Sequence, residues 1–138
     1  MFRLFVNADD FGICNERDNG IVKAFKDGIV RGATIIANGQ SSRTAAELAS
    51  AAGMRLGLHL NLTEVRILMF TILNSQGKPL TACSSLVDQS SGQMLGKLGF
   101  REALSKMISM SDIENEISAQ VCSYSRLYCN IVQDCLVL

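Results

Sequence analysis

Histidine is almost missing from this chain: among 138 residues there is one, His59. No CxxC pair or Cys/His cluster accompanies it, which excludes a zinc knuckle. Net charge is missing too, since 13 Lys and Arg balance 13 Asp and Glu. A neutral chain with scattered basic residues has no electrostatic footprint for nucleic acid or an anionic membrane, so neither is an expected partner. No uninterrupted apolar stretch approaches the roughly 20 residues of a membrane span. No basic segment leads into an apolar one as in a secretory signal. The expectation is an intracellular, cytoplasmic protein with no signal peptide or transmembrane segment. Cys14, Cys83, Cys122, Cys129 and Cys135 are an odd set without paired spacing, and in that compartment they read as reduced thiols. Internal repeats and low-complexity segments are absent as well, and the length allows one domain.

What is present is a βα rhythm. Residues 2–8, FRLFVNA, read as a strand apolar on both faces around Leu4, Phe5 and Val6, as in a buried parallel sheet. CNERDNGIVKAFKDG reads as a helix with Ile21, Val22 and Phe25 on its inner face and Gly28 ending it. GATIIAN is a second strand stopped by Asn38-Gly39, SSRTAAELASAAG an alanine-rich helix capped by serine or threonine and closed by Gly53. MRLGLHLNL is a third strand ending near His59. Beyond Thr63 the rhythm breaks. Residues 64–99 read as a long polar excursion over a site, FREALSKMI as a short helix, and SDIENEISAQVCSYSRLY as a longer one. In that last helix Ser111 and Glu114 form a capping box, and Ile113, Ile117, Val121, Tyr124 and Tyr128 make an apolar stripe.

In parallel α/β folds ligands bind beyond the carboxyl ends of the strands. Asp9 and Asp10 fall after the first strand, Asn38 after the second and His59 at the end of the third. Singly, each has an ordinary reading: a solvated turn, a turn amide, a packed imidazole. Their convergence on one rim predicts a site. The chemistry that fits is metal-assisted hydrolysis, in which a dication lets two carboxylates stand close, one holding the ion and the other acting as base.

NADDFG, NGIVKAFKDGIV, ANGQ, GLHLNLTE and GKLGF, in that order over about residues 2–127, resemble the YdjC-type carbohydrate deacetylases, which include chitooligosaccharide deacetylase. The resemblance implies a divalent-metal hydrolase that removes acetyl groups from N-acetylated oligosaccharides on a distorted (β/α) barrel. It implies Asp9 as general base, Asp10 and His59 as metal ligands, and Asn61 as a lining residue. Magnesium is the first choice of ion and zinc the second, since a mixed oxygen and nitrogen donor set accepts several dications. The expected fold is α/β, the N-terminal part of a TIM-like barrel, with a partial deacetylase domain over residues 1–127 and a divergent tail over 128–138.

Three departures from the family pattern stand out. Val65 replaces the glycine expected after NLTE, the later D-x-H-x-H segment that would supply a third ligand has no counterpart, and the resemblance stops near Tyr128. The expectation is a truncated form that carries half the active site and has impaired activity, with an open sheet edge favouring homo-oligomers. Two other readings compete. An acidic pair after strand one also describes a magnesium-binding receiver domain, and a non-catalytic remnant could dock a partner through the Ile113–Tyr124 stripe.

Overall fold

The computed structural model describes residues 2–63, 78–105 and 107–129. Strands β1 (Asn7–Phe11), β2 (Gly32–Ile36) and β3 (Arg55–His59) form a parallel sheet in the order β1-β2-β3. Helices α1 (Asn15–Asp27) and α2 (Ser42–Ala52) make the two crossovers, and α3 (Gly96–Leu104) and α4 (Met110–Cys129) follow. The fold class is α/β, and sequential parallel pairing is how a (β/α) barrel begins. A receiver domain would place β1 between β2 and β3, in the order 2-1-3. Observed pairing puts β2 in the centre, so the receiver reading is wrong on topology.

β2 is central because it alone is apolar toward both faces, with Ala33, Ile35 and Ile36 buried. The small face of α2, Ala45, Ala46 and Ala49, lets that helix lie close on the sheet beside Phe11, Val22, Ala33 and Ile35. Gly53 ends α2 at φ +67°, donating its N–H back to Ser50. Ile21 and Phe25 of α1 pack against the same core, as do Tyr124 and Leu127 of α4. A second small cluster joins Cys83, Leu86 and Met94 to Phe100, Ile108 and Ile113. Cys14, Cys83 and Cys122 are free thiols, and burial pushes the Cys83 thiol above its ordinary range.

Several expectations need correction. β1 starts at Asn7 instead of Phe2 and runs through the acidic pair; Phe2, Leu4 and Phe5 are exposed. α3 begins four residues before Phe100, at Gly96. Helix α4 starts at Met110, so the cap is Ser109, whose Oγ accepts the Asp112 N–H at 3.4 Å; Ser111 lies inside the helix. Val121 of the supposed stripe is exposed, and the face turned inward instead carries Glu116 and Gln120, both fully buried. Tyr124 is engaged internally, its hydroxyl donating to the Leu56 carbonyl at 2.7 Å, which leaves less of the stripe for a partner. Val65 and the segment after it, the side chain of Tyr128 and the tail from residue 130 lie outside the described residues.

The corrected cap has a direct check. Ser109→Ala is expected to cost about 1 kcal/mol in urea unfolding and Ser111→Ala less than about 0.5 kcal/mol. Equal losses would return the cap to Ser111.

Candidate active site

Alternation along a strand sends neighbouring side chains to opposite faces. In β1 that rule puts Asn7 and Asp9 on the face opposite Ala8, which packs on the core. Asp10 should then point away from Asp9. It does not, because β1 carries a bulge. Asn7 pairs with Gly32 and Ala8 with Ala33, but Phe11 pairs with Ile35, so three steps on β1 match two on β2. Asp10 absorbs the extra residue at φ +62°, and is alone among the described non-glycine residues at positive φ. Aspartate tolerates the left-handed region better than most residues. The bulge turns Asp10 to the side of His59, the last residue of β3.

The three side chains meet there. Asp10 Oδ1 stands 3.5 Å from His59 Nδ1, and the Asp10 backbone N–H donates to the same nitrogen at 3.4 Å. Arg17 of α1 places a guanidinium nitrogen 3.4 Å from Asp10 Oδ2. Asp9 is held differently. Its Oδ1 accepts the Thr34 hydroxyl at 2.6 Å and the Asn7 amide at 2.7 Å. Thr34 Oγ1 in turn lies 3.5 Å from His59 Nδ1. The Thr34 bond is the main reason the Asp9 carboxyl is held below its ordinary range, so Asp9 is ionised at neutral pH.

Asp9, Asp10, Ile36, His59, Leu60, Asn61, Thr63 and Lys97 line a cavity of about 380 Å³ at this rim. Lys97, from the first turn of α3, is the part of the predicted excursion that reaches it among the described residues. Asn61 lines the cavity as expected, and its backbone is clamped by α4: Gln120 accepts its N–H at 2.9 Å and donates to its carbonyl at 2.6 Å. Asn38, predicted at the rim, is not among the lining residues. Its amide donates to the Lys78 carbonyl at 3.1 Å and its oxygen accepts from Asn61 at 3.3 Å, so it braces loops instead. Glu116 braces the same region, accepting the N–H groups of Leu80 and Thr81. Sequence reading missed Glu116, Gln120, Thr34, Arg17 and Asp18. Thr34 was findable, since it lies on the central strand two residues from Ile36 and alternation aims it at the same face.

The model of the YdjC-like protein family matches residues 3–127. The chain belongs to that family. A carbohydrate deacetylase of Mus musculus is 40% identical over 126 residues, covering 91% of this chain and 38% of the mouse protein. A chitooligosaccharide deacetylase of Serratia marcescens is 34% identical, over 91% of this chain and 44% of its own length. A crystal structure of a proposed cellobiose-phosphate cleavage protein from Enterococcus faecalis superposes with a TM-score of 0.73 at 29% identity, covering 89% of this chain and 43% of that one. The chain thus spans less than half the length of these relatives.

Can the YdjC-like rim hold a dication? Two ligands about 2.1 Å from one ion at angles between octahedral and tetrahedral stand roughly 3.0–3.4 Å apart. Asp10 Oδ1 and His59 Nδ1, 3.5 Å apart, stand just beyond that spacing and would draw slightly together as two such ligands. Among the described residues no group of three His, Cys, Asp or Glu side chains is arranged to hold a metal ion. The donor set therefore fits a dication from two sides.

Thr34→Val removes the strongest of the bonds that favour ionised Asp9. The expected result is a rise of the Asp9 pKa toward the ordinary carboxylate value, read from its side-chain carbon resonance during an NMR pH titration. An unchanged titration would remove Thr34 from the account of the site.

Proposed function

We propose that this chain carries the base and two metal ligands of a carbohydrate deacetylase, a hydrolase that removes acetyl groups from N-acetylated oligosaccharides. The observation that carries the proposal is the bulge in β1, which sets Asp9 and Asp10 on one rim with His59. The names of the mouse and Serratia relatives point to the same substrate class. Asp10 and His59 hold the ion, magnesium first and zinc second. When bound, the ion supplies Lewis-acid chemistry: it polarises the amide carbonyl and acidifies a water.

Everything else falls to the protein's own groups. Asp9 takes the proton of the attacking water. Both of its hydrogen bonds fall on Oδ1, so among the described residues Oδ2 keeps its lone pairs for that proton. Asn61 and Thr63 present polar groups to the sugar, and Leu60 and Ile36 give the cavity an apolar wall. Catalytic dications usually keep three protein ligands. With two among the described residues, the chain by itself is expected to bind the ion weakly and turn over slowly.

The division of labour is tested by calorimetric titration with magnesium and with zinc, alongside acetate release from N-acetylated chitooligosaccharides. Asp10→Asn is expected to weaken ion binding roughly tenfold or more. Asp9→Asn is expected to leave binding within about threefold and lower acetate release roughly a hundredfold or more. Robust turnover by the unaltered chain would contradict the two-ligand account. Absence of binding by either ion would overturn the metal reading.

A further inference from the structure

Asp18 is fully buried, yet the reaction sketched above makes no use of it. It stands in the first turns of α1, where a carboxylate suits the helix dipole, but its side chain is committed elsewhere. Oδ1 accepts the Gly12 N–H at 2.7 Å, and Oδ2 accepts the Ser41 hydroxyl at 2.5 Å. Gly12 belongs to the turn after β1 and Ser41 to the turn after β2. Those two turns are also joined directly, the Ser41 N–H donating to the Gly12 carbonyl at 3.0 Å. Gly39 lies so close to that carbonyl that a Cβ would sit 2.2 Å from its oxygen. One carboxylate thus fastens the turn six residues before it to the turn 23 residues after it.

We propose that Asp18 is a positioning residue for the acidic pair: by locking the turns after β1 and β2 together it holds Asp10 in the left-handed conformation that brings it to His59. Between Asp10 and Gly12 lies Phe11, which is fully buried in the main core. The backbone just after Asp10 is therefore held by an apolar anchor and, one residue later, by the Gly12 bond to Asp18. Turning Asp10 back to negative φ would swing the Gly12 amide off the carboxylate or lift Phe11 from the core. Either change leaves a buried polar or apolar group without its partner. Burial raises the proton affinity of Asp18, so the ionised group sits there at a cost to stability. An alanine would relieve that cost but would leave the Gly12 amide and the Ser41 hydroxyl without an acceptor. The inference rests on the geometry of the rim and stands whether or not the metal reading does.

His59 is the only imidazole in the chain, so its ring resonances report the rim without ambiguity. The experiment compares them by NMR at one near-neutral pH, without added metal, in the unaltered chain and in Asp10→Asn, Asp18→Ala and Asp18→Asn. Asp10→Asn defines the shift caused by altering the neighbouring carboxylate. Folded Asp18→Ala is expected to move the His59 signals by more than half of that shift. Asp18→Asn is expected to move them by less than a quarter, because its oxygen can accept from Gly12 while its amide donates to Ser41 Oγ. Wild-type signals in folded Asp18→Ala, or a full shift in Asp18→Asn, would overturn the proposal. Should Asp18→Ala fail to fold, Asp18→Asn and the Gly12 amide of the unaltered chain decide. That amide is expected to exchange with solvent about a hundredfold or more slower than an open chain, and open-chain exchange would refute the lock.

Discussion

Two consecutive residues of a regular strand cannot serve the same side of a sheet, and the candidate site requires that they do. The conflict is resolved at one backbone position. With Asp10 at φ +62°, β1 takes an extra residue against β2, and the alternation that would have hidden one carboxylate is broken. A non-glycine residue in the left-handed region costs up to a few kcal/mol and persists only where its surroundings over-determine it. Here Phe11 is fully buried, Gly12 follows at φ +92°, and the Gly12 N–H and C=O are both engaged. Such local strain is more informative than a cluster of acids alone, because a solvated acidic turn would relax out of it.

Clamping of the rim continues on the far side, where α4 does more than cover the core. Glu116 and Gln120 are one turn apart on its buried face and bond to each other at 2.8 Å. Glu116 gathers the backbone of Leu80 and Thr81, Gln120 that of Asn61. Loops that carry binding residues are ordinarily the least stable parts of a domain. In this chain the loop at Asn61 is tied to α4 by the two buried bonds of Gln120, and the neighbouring loop at Leu80 and Thr81 by the carboxylate of Glu116, which limits the freedom of Asn61 while leaving Lys97 on a surface helix.

Much of this was legible in the sequence. Apolar spacing in α1, alanines in α2, the glycine at the end of α2 and the β-branched centre of β2 each have a local cause, and the structure repeats them. The convergence of Asp9, Asp10 and His59 was legible because strand ends in a parallel sheet share a rim. Other features were not, for physical reasons. Phe2, Leu4 and Phe5 look like a buried strand, but apolar residues alone do not say where pairing begins; it begins at Asn7. A hydrophobic stripe cannot reveal an inner face built from Glu116 and Gln120, whose backbone partners lie 35 or more residues away. Asp18, inside the polar run NERDNG, resembles a solvated helix residue until Gly12 and Ser41 are seen against it. A bulge leaves no trace in an alternation pattern only five residues long.

Adjacent carboxylates of identical chemistry acquire different roles when their surroundings differ, and here the surroundings are set by the sheet. Asp9 faces the neutral donors Asn7 and Thr34, which favour its ionised form and occupy a single oxygen. Asp10 faces an imidazole and a guanidinium at 3.4–3.5 Å, and no neutral side chain saturates it among the described residues. A dication arriving at the rim would exchange with groups of that kind, since it satisfies the same carboxylate charge and takes the imidazole nitrogen as a ligand. At Asp9 it would find Oδ1 already taken by two short hydrogen bonds, and Oδ2 alone to offer. This difference in partners is the physical ground for proposing the ion at Asp10 and the proton at Asp9, independently of the order in which the two residues occur in the chain.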